Sequence, residues 1–296
     1  MSLAPAQTRE ADAAAPPERP TRVRFQVLGL LTLAGCIRDL AQVVVFDPDP
    51  DDPALEKILA FRPDLIGIGF MTQTRFRAVE IHRILKEKLP EAKVVLGGVG
   101  PTVEPEKTWA LFQPDALVVG EGEKALMEIV KTGSFEGVAG VYLEGQPFRP
   151  GEVFQNLDDL PLPAIDCMPD FHRYLCPPGG IRGKWFASGT PMIMTSRGCP
   201  YRCTFCSSHL MFSRRVRRRS VGHVMAEIRQ LHDTFGIDAV YFFDDTFNVQ
   251  REWLEAFCEA VCNEPYTLTW GCQIRVNLFD AKMGKMMRKA GCVQVD

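Results

Sequence analysis

The most constraining feature of this chain is an alternation of short apolar runs with amphipathic segments. Four runs rich in β-branched residues are predicted strands, at 42–47, 64–70, 92–96 and 115–119. They alternate with predicted helices at 28–40, 52–61, 74–89 and 123–130. Strands that are apolar along their whole length need helices on both faces, so the pattern predicts a parallel α/β sheet.

A second series with the same alternation begins after residue 190. Its predicted strands lie at 192–195, 239–243, 268–272 and 291–296, and its helices at 221–235, 251–262 and 281–290. Residues 138–154 are predicted to form a β-hairpin, and residues 156–178, rich in Asp and Pro, an extended linker. Residues 21–26 resemble a poor remnant of a first strand. We expect a disordered tail at 1–20, a Rossmann-like domain at 21–137, the hairpin and linker at 138–189, and a partial β/α barrel at 190–296, truncated where its last strand starts.

Composition narrows the class of protein. Of the 296 residues, 46% are hydrophobic and 24% charged, as in a soluble globular chain. The net charge of −3 gives no reason to expect nucleic-acid binding. No apolar run approaches the ~20 residues of a membrane span, and residues 1–20 lack the apolar core of a secretory signal. A cytoplasmic location is therefore expected, where ten cysteines indicate metal or redox chemistry more readily than disulfides.

Three of these cysteines have the spacing of metal ligands. Cys199, Cys203 and Cys206 form a CxxxCxxC pattern in the loop after a predicted strand, and Gly198 permits a tight turn before it. Three thiolates are one short of a closed four-ligand site, so one metal position stays open. The alternative is a structural zinc site completed by a distant residue such as His209.

The stretch TSRGCPYRCTFCSS at 195–208 resembles the cluster loop of the radical S-adenosylmethionine (SAM) superfamily, which has an aromatic residue before its last cysteine. The resemblance implies that Cys199, Cys203 and Cys206 bind a 4Fe–4S cluster and that Phe205 lies beside the adenine of SAM. In that family the open iron binds SAM, and an electron from the cluster cleaves it to a 5′-deoxyadenosyl radical. A reductase such as flavodoxin or ferredoxin is the expected partner.

Two later stretches, FFDDTFN at 242–248 and WGCQIRVNLFD at 270–280, resemble barrel strands of the superfamily branch with an N-terminal cobalamin domain. Polar side chains at the carboxyl ends of barrel strands line the ligand-binding mouth. The resemblance therefore implies SAM contacts from Asp244, Asp245, Gln273 and Arg275. The alternative is that the two aspartates cap the following helix and that Arg275 lies on the surface. The usual glycine-rich amine-binding motif is replaced by the two aspartates.

Upstream, residues 64–131 resemble the cobalamin-binding fold through PDLIGIGFMT, KVVLGGVGPT and DALVVGEGE. Glycines at strand ends allow a flat ligand to approach the backbone. The resemblance implies a cobalamin site lined by Met71, Thr72, Gly97, Gly98, Gly120 and Gly122. The DxHxxG motif that supplies a histidine to cobalt is absent, and His82 lies in the middle of a predicted helix. The alternative is a Rossmann-like domain that no longer binds a ligand.

The resemblance covers residues 28–296 and implies radical methylation of a small-molecule substrate with a 4Fe–4S cluster, SAM and cobalamin. An oxidative cyclase of the same branch and an inactive cluster- or cobalamin-binding fragment are the alternatives. A methylthiotransferase is disfavoured because Cys36 is the only cysteine before the linker. The basic run at 214–219 is predicted to be a solvated surface, although it could hold an anionic substrate. Four further cysteines are predicted core residues: Cys258, Cys262, Cys272 and Cys292.

Overall fold

The computed structural model describes residues 27–49, 52–175 and 190–296. Its first sheet has the strand order β1-β2-β3-β4 and contains β1 (Leu65–Gly69), β2 (Lys93–Gly97), β3 (Ala116–Val118) and β4 (Val141–Tyr142). The first three strands are parallel, and β4 runs antiparallel to β3. The parallel sheet expected from the apolar runs is confirmed.

Among the described residues before the linker there are six α-helices: α1 (Leu28–Ile37), α2 (Ala54–Phe61), α3 (Arg75–Lys88), α4 (Val99–Val103), α5 (Pro105–Phe112) and α6 (Glu123–Thr132). Alternate residues of β2 explain how they cover the sheet. Val94 and Leu96 face a core formed with α2, α3 and α5, whereas Val95 faces the core of α6. Successive strand residues point to opposite faces, so an unbroken apolar run requires both layers.

Two predicted elements differ from the structure. Residues 42–47 form no strand; this segment lies against the linker, where the Val45 amide donates to the Cys167 carbonyl at 2.8 Å. The predicted hairpin at 138–154 is also wrong, because β4 pairs with β3 and no second strand follows it. The predictions for residues 1–26 and 176–189 lie outside the described residues.

The second half contains six strands: β5 (Met192–Ile193), β6 (Ser196–Arg197), β7 (Arg217–Arg218), β8 (Ala239–Phe242), β9 (Thr269–Cys272) and β10 (Cys292–Val295). Four of them form a parallel sheet in the order β5-β8-β9-β10, while β6 and β7 pair as a separate antiparallel ribbon. The helices are α7 (Ser208–Phe212), α8 (Val221–Phe235), α9 (Arg251–Cys262) and α10 (Ala281–Lys289). This is the β/α alternation expected of a partial barrel.

The core of the second half also receives residues from the first half and the linker. Its centre is a group of aromatic side chains that contact one another: Phe242, Phe247, Phe257 and Trp270. Leu31 of α1 and Ile165, Met168 and Phe171 of the linker are buried in the same cluster. The linker is therefore packed, and it ties α1 to the second sheet.

Three of the four cysteines predicted to be core residues are buried, namely Cys258, Cys272 and Cys292. The prediction is wrong for Cys262, which ends α9 and is exposed. Within the described ranges, no helix combines the length and the hydropathy needed to cross a membrane.

Candidate functional site

The cysteine loop leaves the ribbon at a glycine that no other residue could replace without movement of the backbone. Gly198 has φ of +93°, and a Cβ atom there would overlap the carbonyl oxygen of Arg215. The chain therefore turns sharply from β6 into Cys199. A second turn closes within the loop, where the Cys206 amide donates to the Cys203 carbonyl at 3.2 Å.

The three predicted ligand cysteines are unpaired thiols in this loop. Cys199 and Cys203 are half-buried and Cys206 is exposed; Phe205 between them is 91% exposed. In the part of the chain that the structure describes, no three His, Cys, Asp or Glu side chains converge on one metal-ion position. A cluster of several irons is larger than one ion, so its thiolates need not converge on a point. Three free thiols in one accessible loop are a suitable donor set for it.

Asp244 anchors the strand end before the cysteine loop. Its carboxylate accepts hydrogen bonds from the Thr195 amide at 3.2 Å, from the Thr195 hydroxyl at 2.9 Å and from the Ser196 hydroxyl. Burial raises the pKa of Asp244, while the charge of Arg218 and these hydrogen bonds act in the opposite direction. The carboxylate is thus occupied by groups of the protein itself, and its contact with SAM stays a prediction.

Asp245 differs from its neighbour because it is exposed and accepts a hydrogen bond from the Ser208 hydroxyl at the start of α7. Neither aspartate caps α9, which begins after Gln250 without a side-chain cap. The capping alternative is therefore wrong. The direct contact of Asp245 is with the segment that follows the cysteine loop.

Arg275 lies against the cysteine loop. Its guanidinium carbon is 3.7 Å from the centre of the Tyr201 ring, a cation–π contact, and its Nη1 is 3.7 Å from the Cys203 Sγ. Asn248 holds the Arg275 backbone, because its side chain accepts from the Arg275 amide at 2.9 Å and donates to the carbonyl at 3.1 Å. The surface alternative for Arg275 is wrong. Its Nε is buried and has no hydrogen-bond partner among the described residues.

Gln273 follows β9 at the same edge of the second sheet. Its side chain is half-buried, and its carbonyl accepts from the Phe247 amide at 2.9 Å. Asn248 and Tyr201, which sequence reasoning missed, lie beside the residues that it found. Tyr201 lies within the CxxxCxxC pattern and Asn248 ends the FFDDTFN stretch, so their places in these two motifs were the sequence signal that could have identified them.

The residues predicted to line a cobalamin site lie at the carboxyl ends of the first three strands. We call this set the glycine edge: Met71, Thr72, Gly97, Gly98, Gly120 and Gly122. Met71 and Thr72 are exposed after β1. Gly98 has φ of +90°, and a Cβ there would lie 3.1 Å from the Phe70 carbonyl oxygen. Gly120 has φ of +84° and faces open space, so bare backbone is available to a flat ligand.

His82 does not lie at the glycine edge. It is buried on α3, where its ring meets the edge of the Phe112 ring at 5.6 Å between centres. Burial and the charge of Lys86 lower its pKa.

A surface cavity of about 460 Å³, lined by residues such as Arg229, His232 and Tyr266, lies at the amino end of the second sheet and includes no predicted site residue.

The prediction of a solvated surface is wrong for part of the basic run at 214–219. Arg217 and Arg219 are buried, because each pairs with a buried glutamate, Glu121 and Glu227 respectively. The glutamates of the GEGE stretch are therefore part of the arrangement that sequence reasoning missed. Two carboxylates in the GEGE stretch at 120–123 were the available sequence signal for these ion pairs, but only its two glycines were used in the prediction.

Comparison with known proteins agrees with this division into halves. Residues 22–130 match the family model of the B12 binding domain, and residues 193–296 match that of the Radical SAM superfamily. The structure resembles that of the cobalamin-dependent S-adenosylmethionine radical enzyme OxsB with aqua-cobalamin and S-adenosylmethionine bound. The TM-score is 0.76 at 20% identity, over 92% of this chain and 41% of that chain. This likeness shows a shared fold.

Two curated relatives align with most of the chain. One is an uncharacterized methyltransferase, PH0819, of Pyrococcus horikoshii, which is 34% identical over 90% of this chain and 58% of its own length. The other is the anaerobic magnesium-protoporphyrin IX monomethyl ester cyclase of Rubrivivax gelatinosus, 28% identical over 83% of this chain and 45% of its own length. The chain spans about half the length of these relatives. With a B12-binding domain followed by a radical SAM domain, it belongs to the cobalamin-dependent branch of the radical SAM superfamily.

Proposed function

We propose that this chain carries the cofactor-binding part of a cobalamin-dependent radical SAM methyltransferase that acts on a small molecule. The observation that carries the proposal is one chain with two matching halves, a loop of three free thiols and a bare glycine edge. The identity of 34% to a relative described as a methyltransferase supports this reaction over others of the branch.

Each group has its own set of residues in this proposal. Cys199, Cys203 and Cys206 hold the 4Fe–4S cluster, and the glycine edge holds cobalamin. Four residues near the loop contact SAM together with Phe205, namely Asp244, Asp245, Gln273 and Arg275. When bound, the cluster and SAM supply a 5′-deoxyadenosyl radical, and cobalamin supplies the methyl group.

The chain's own residues position these groups. Asp244 fixes the backbone at Thr195, four residues before the first cysteine. Arg275 covers the Tyr201 ring, and its Nη1 donates toward the Cys203 sulfur at 3.7 Å. Gly120 leaves open space beside the backbone, and Gly98 allows the chain to pass close to the Phe70 carbonyl oxygen.

We also propose a flavodoxin- or ferredoxin-type reductase as partner and a cytoplasmic location. Phe205 is nearly fully exposed and Cys206 is exposed, so the loop is accessible from solvent and to a reductase.

The second candidate function is radical oxidative cyclisation, which the relative from Rubrivivax gelatinosus favours. Product mass separates the two reactions, because methylation adds CH₂ to the substrate and cyclisation does not.

Cluster assembly tests the ligand assignment. Each cysteine of the loop is replaced in turn, with Cys203→Ala as the first variant, and the protein is reconstituted anaerobically with iron and sulfide. We expect the electron paramagnetic resonance (EPR) signal of a reduced 4Fe–4S cluster in the parent protein, a shift of that signal on addition of SAM, and loss of the cluster in each variant. Cys262→Ala is the matched control, because it removes an exposed cysteine outside the loop. An intact cluster in Cys203→Ala, or a parent cluster that does not respond to SAM, would contradict the proposal.

A further inference from the structure

The two halves of the molecule meet at a buried group of charges that the proposed cofactor sites do not use. We call it the carboxylate joint; it consists of Glu121, Glu123, Arg197 and Arg217. Arg197 donates through Nη1 to Glu121 Oε2 at 2.7 Å and through Nη2 to Glu123 Oε1 at 2.6 Å. Arg217 pairs with both oxygens of Glu121. The side chains of Glu121 and Arg217 are only 3% and 4% exposed.

The residues of the joint are close in sequence to both the glycine edge and the cysteine loop. Glu121 lies between Gly120 and Gly122, in the turn from β3 to α6. Arg197 ends β6 and is separated from Cys199 by Gly198 alone. One carboxylate therefore links the turn that carries Gly120 and Gly122 to the strand end that precedes the cysteine loop.

A second contact attaches the other end of the loop to the same turn. Thr102 of α4 accepts a hydrogen bond from the Gly120 amide at 2.9 Å, and its hydroxyl oxygen lies 3.7 Å from the Sδ of Met211 in α7. The Arg197 guanidinium carbon is also 5.6 Å from the centre of the Phe212 ring in α7. The cysteine loop is thus held to the first half both before and after its three thiols.

The charges of the joint depend on one another. Burial acts to lower the pKa of Arg197, but the charges and hydrogen bonds of Glu123 and Glu121 outweigh it and raise that pKa. Arginine stays protonated in proteins, so loss of the Glu121 charge would leave Arg217 buried without an ionic partner. Among the described residues, its guanidinium would keep the hydrogen bond to the Phe154 carbonyl at 2.7 Å. Removing one partner of a buried ion pair leaves an uncompensated buried charge, so the packing of β6 and β7 against the turn after β3 depends on Glu121.

We infer that Glu121 is a positioning residue that, with Arg197 and Arg217, fixes the cysteine loop against the glycine edge and so sets the separation of the two cofactor sites. The inference rests on the proposed function for what the two sites hold. The carboxylate joint consists of protein side chains alone. Its effect on the position of the cysteine loop can therefore be tested on the cofactor-free chain.

The first experiment is hydrogen–deuterium exchange of the full cofactor-free chain, followed by mass spectrometry. In Glu121→Gln we expect about tenfold faster exchange in residues 119–123 and in residues 196–206, because local opening becomes easier on both sides of the joint. Glu121→Asp retains the charge and should restore slow exchange in part. Glu264→Gln is the control: it weakens the ion pair with Arg229 at the amino end of the second sheet and should leave both segments unchanged.

Two outcomes of this experiment would overturn the inference. In one, faster exchange is confined to residues 119–123, which would mean that the cysteine loop does not depend on Glu121. In the other, exchange accelerates equally in β8 and β9, which would mean that the substitution merely destabilises the fold. A local effect in both segments of Glu121→Gln, absent in the control, supports it.

The second experiment measures the separation directly in protein loaded with cobalamin and a reconstituted cluster. Pulsed EPR between cob(II)alamin and the reduced cluster should give one narrow distance distribution in the parent and in Glu121→Asp, and a broad one in Glu121→Gln. Equal widths in all three would overturn the inference. A parent protein that binds neither group would instead contradict the proposed function, and the exchange experiment would still decide the role of the joint.

Discussion

The parallel strands of the two sheets differ in the residues at their carboxyl ends. Strand β2 ends in Gly97 and Gly120 follows shortly after β3, and the next helices, α4 and α6, begin after Gly98 and Gly122 without a side-chain cap. The second sheet ends in buried polar side chains, with Asp244 after β8 and Asn248 shortly beyond it. At the first edge glycines alternate with the buried Glu121 and Glu123, whereas at the second edge hydrogen-bonded polar side chains fill the space.

The difference follows from what each edge has to position. A glycine edge offers backbone amides and free volume, which suit a large flat ligand that approaches the main chain. The second edge must hold a loop of three thiols in one orientation, and a loop has few backbone hydrogen bonds of its own. Asp244 fixes Thr195 and Ser196 just before the loop, and Asn248 fixes the backbone of Arg275, whose side chain contacts the loop. Substitutions at the two edges should therefore destabilise the protein for different physical reasons.

The largest loss of stability is expected at the carboxyl edge of the second sheet, on removal of the Asp244 carboxylate. Asp244→Ala leaves the donors of Thr195 and Ser196 unsatisfied in the core, so the free energy of unfolding should fall by about 3–5 kcal/mol. Asp245→Ala, at an exposed neighbour, should stay within about 0.5 kcal/mol of the parent. Equilibrium urea unfolding measures both. Equal effects of the two substitutions would break the contrast between a buried anchor and an exposed aspartate.

A smaller effect is expected at the glycine edge. Gly98 has φ of +90° and ψ of −164°, a region open essentially to glycine, and Gly98→Ala also brings a Cβ to 3.1 Å from the Phe70 carbonyl oxygen. We expect a loss of about 1–3 kcal/mol. Gly120→Ala is the matched control, because its φ is +84° but its Cβ meets open space, and it should cost about 1 kcal/mol from backbone strain alone. Thermal unfolding ranks the pair; a larger loss for Gly120→Ala would contradict the steric account.

The smallest effect concerns how helices begin in the two halves. Ser220 caps α8 by accepting a hydrogen bond from the His223 amide at 3.1 Å, whereas α6 starts at a glycine. Ser220→Ala should lower the free energy of unfolding by about 1 kcal/mol, and Ser220→Thr, which keeps the hydroxyl, by less. Urea unfolding of the two variants sharpens the comparison. An Ala variant as stable as the Thr variant would show that this cap contributes little.

The features that could be predicted share a local cause. Runs such as LIGIG in β1 and KVVLG in β2 are apolar on both faces, and that property alone requires a covered parallel sheet. Turns at Gly98 and Gly198 could likewise be predicted, because glycine adopts the positive φ observed at both positions without steric cost. Segment 42–47 has the same β-branched composition, yet it forms no strand, because pairing depends on which edge is free and where the linker packs.

By itself, the sequence determined the two parallel sheets, the three-thiol loop and the glycines at the strand ends, because each depends on residue type and short-range spacing. Only the tertiary structure decided the partners of the charged residues. Glu121 and Arg217 are 96 positions apart, and the basic run has the same composition whether solvated or buried. Such an ion pair forms because the folded chain brings two distant segments together, and short-range sequence patterns do not show which distant residues become neighbours.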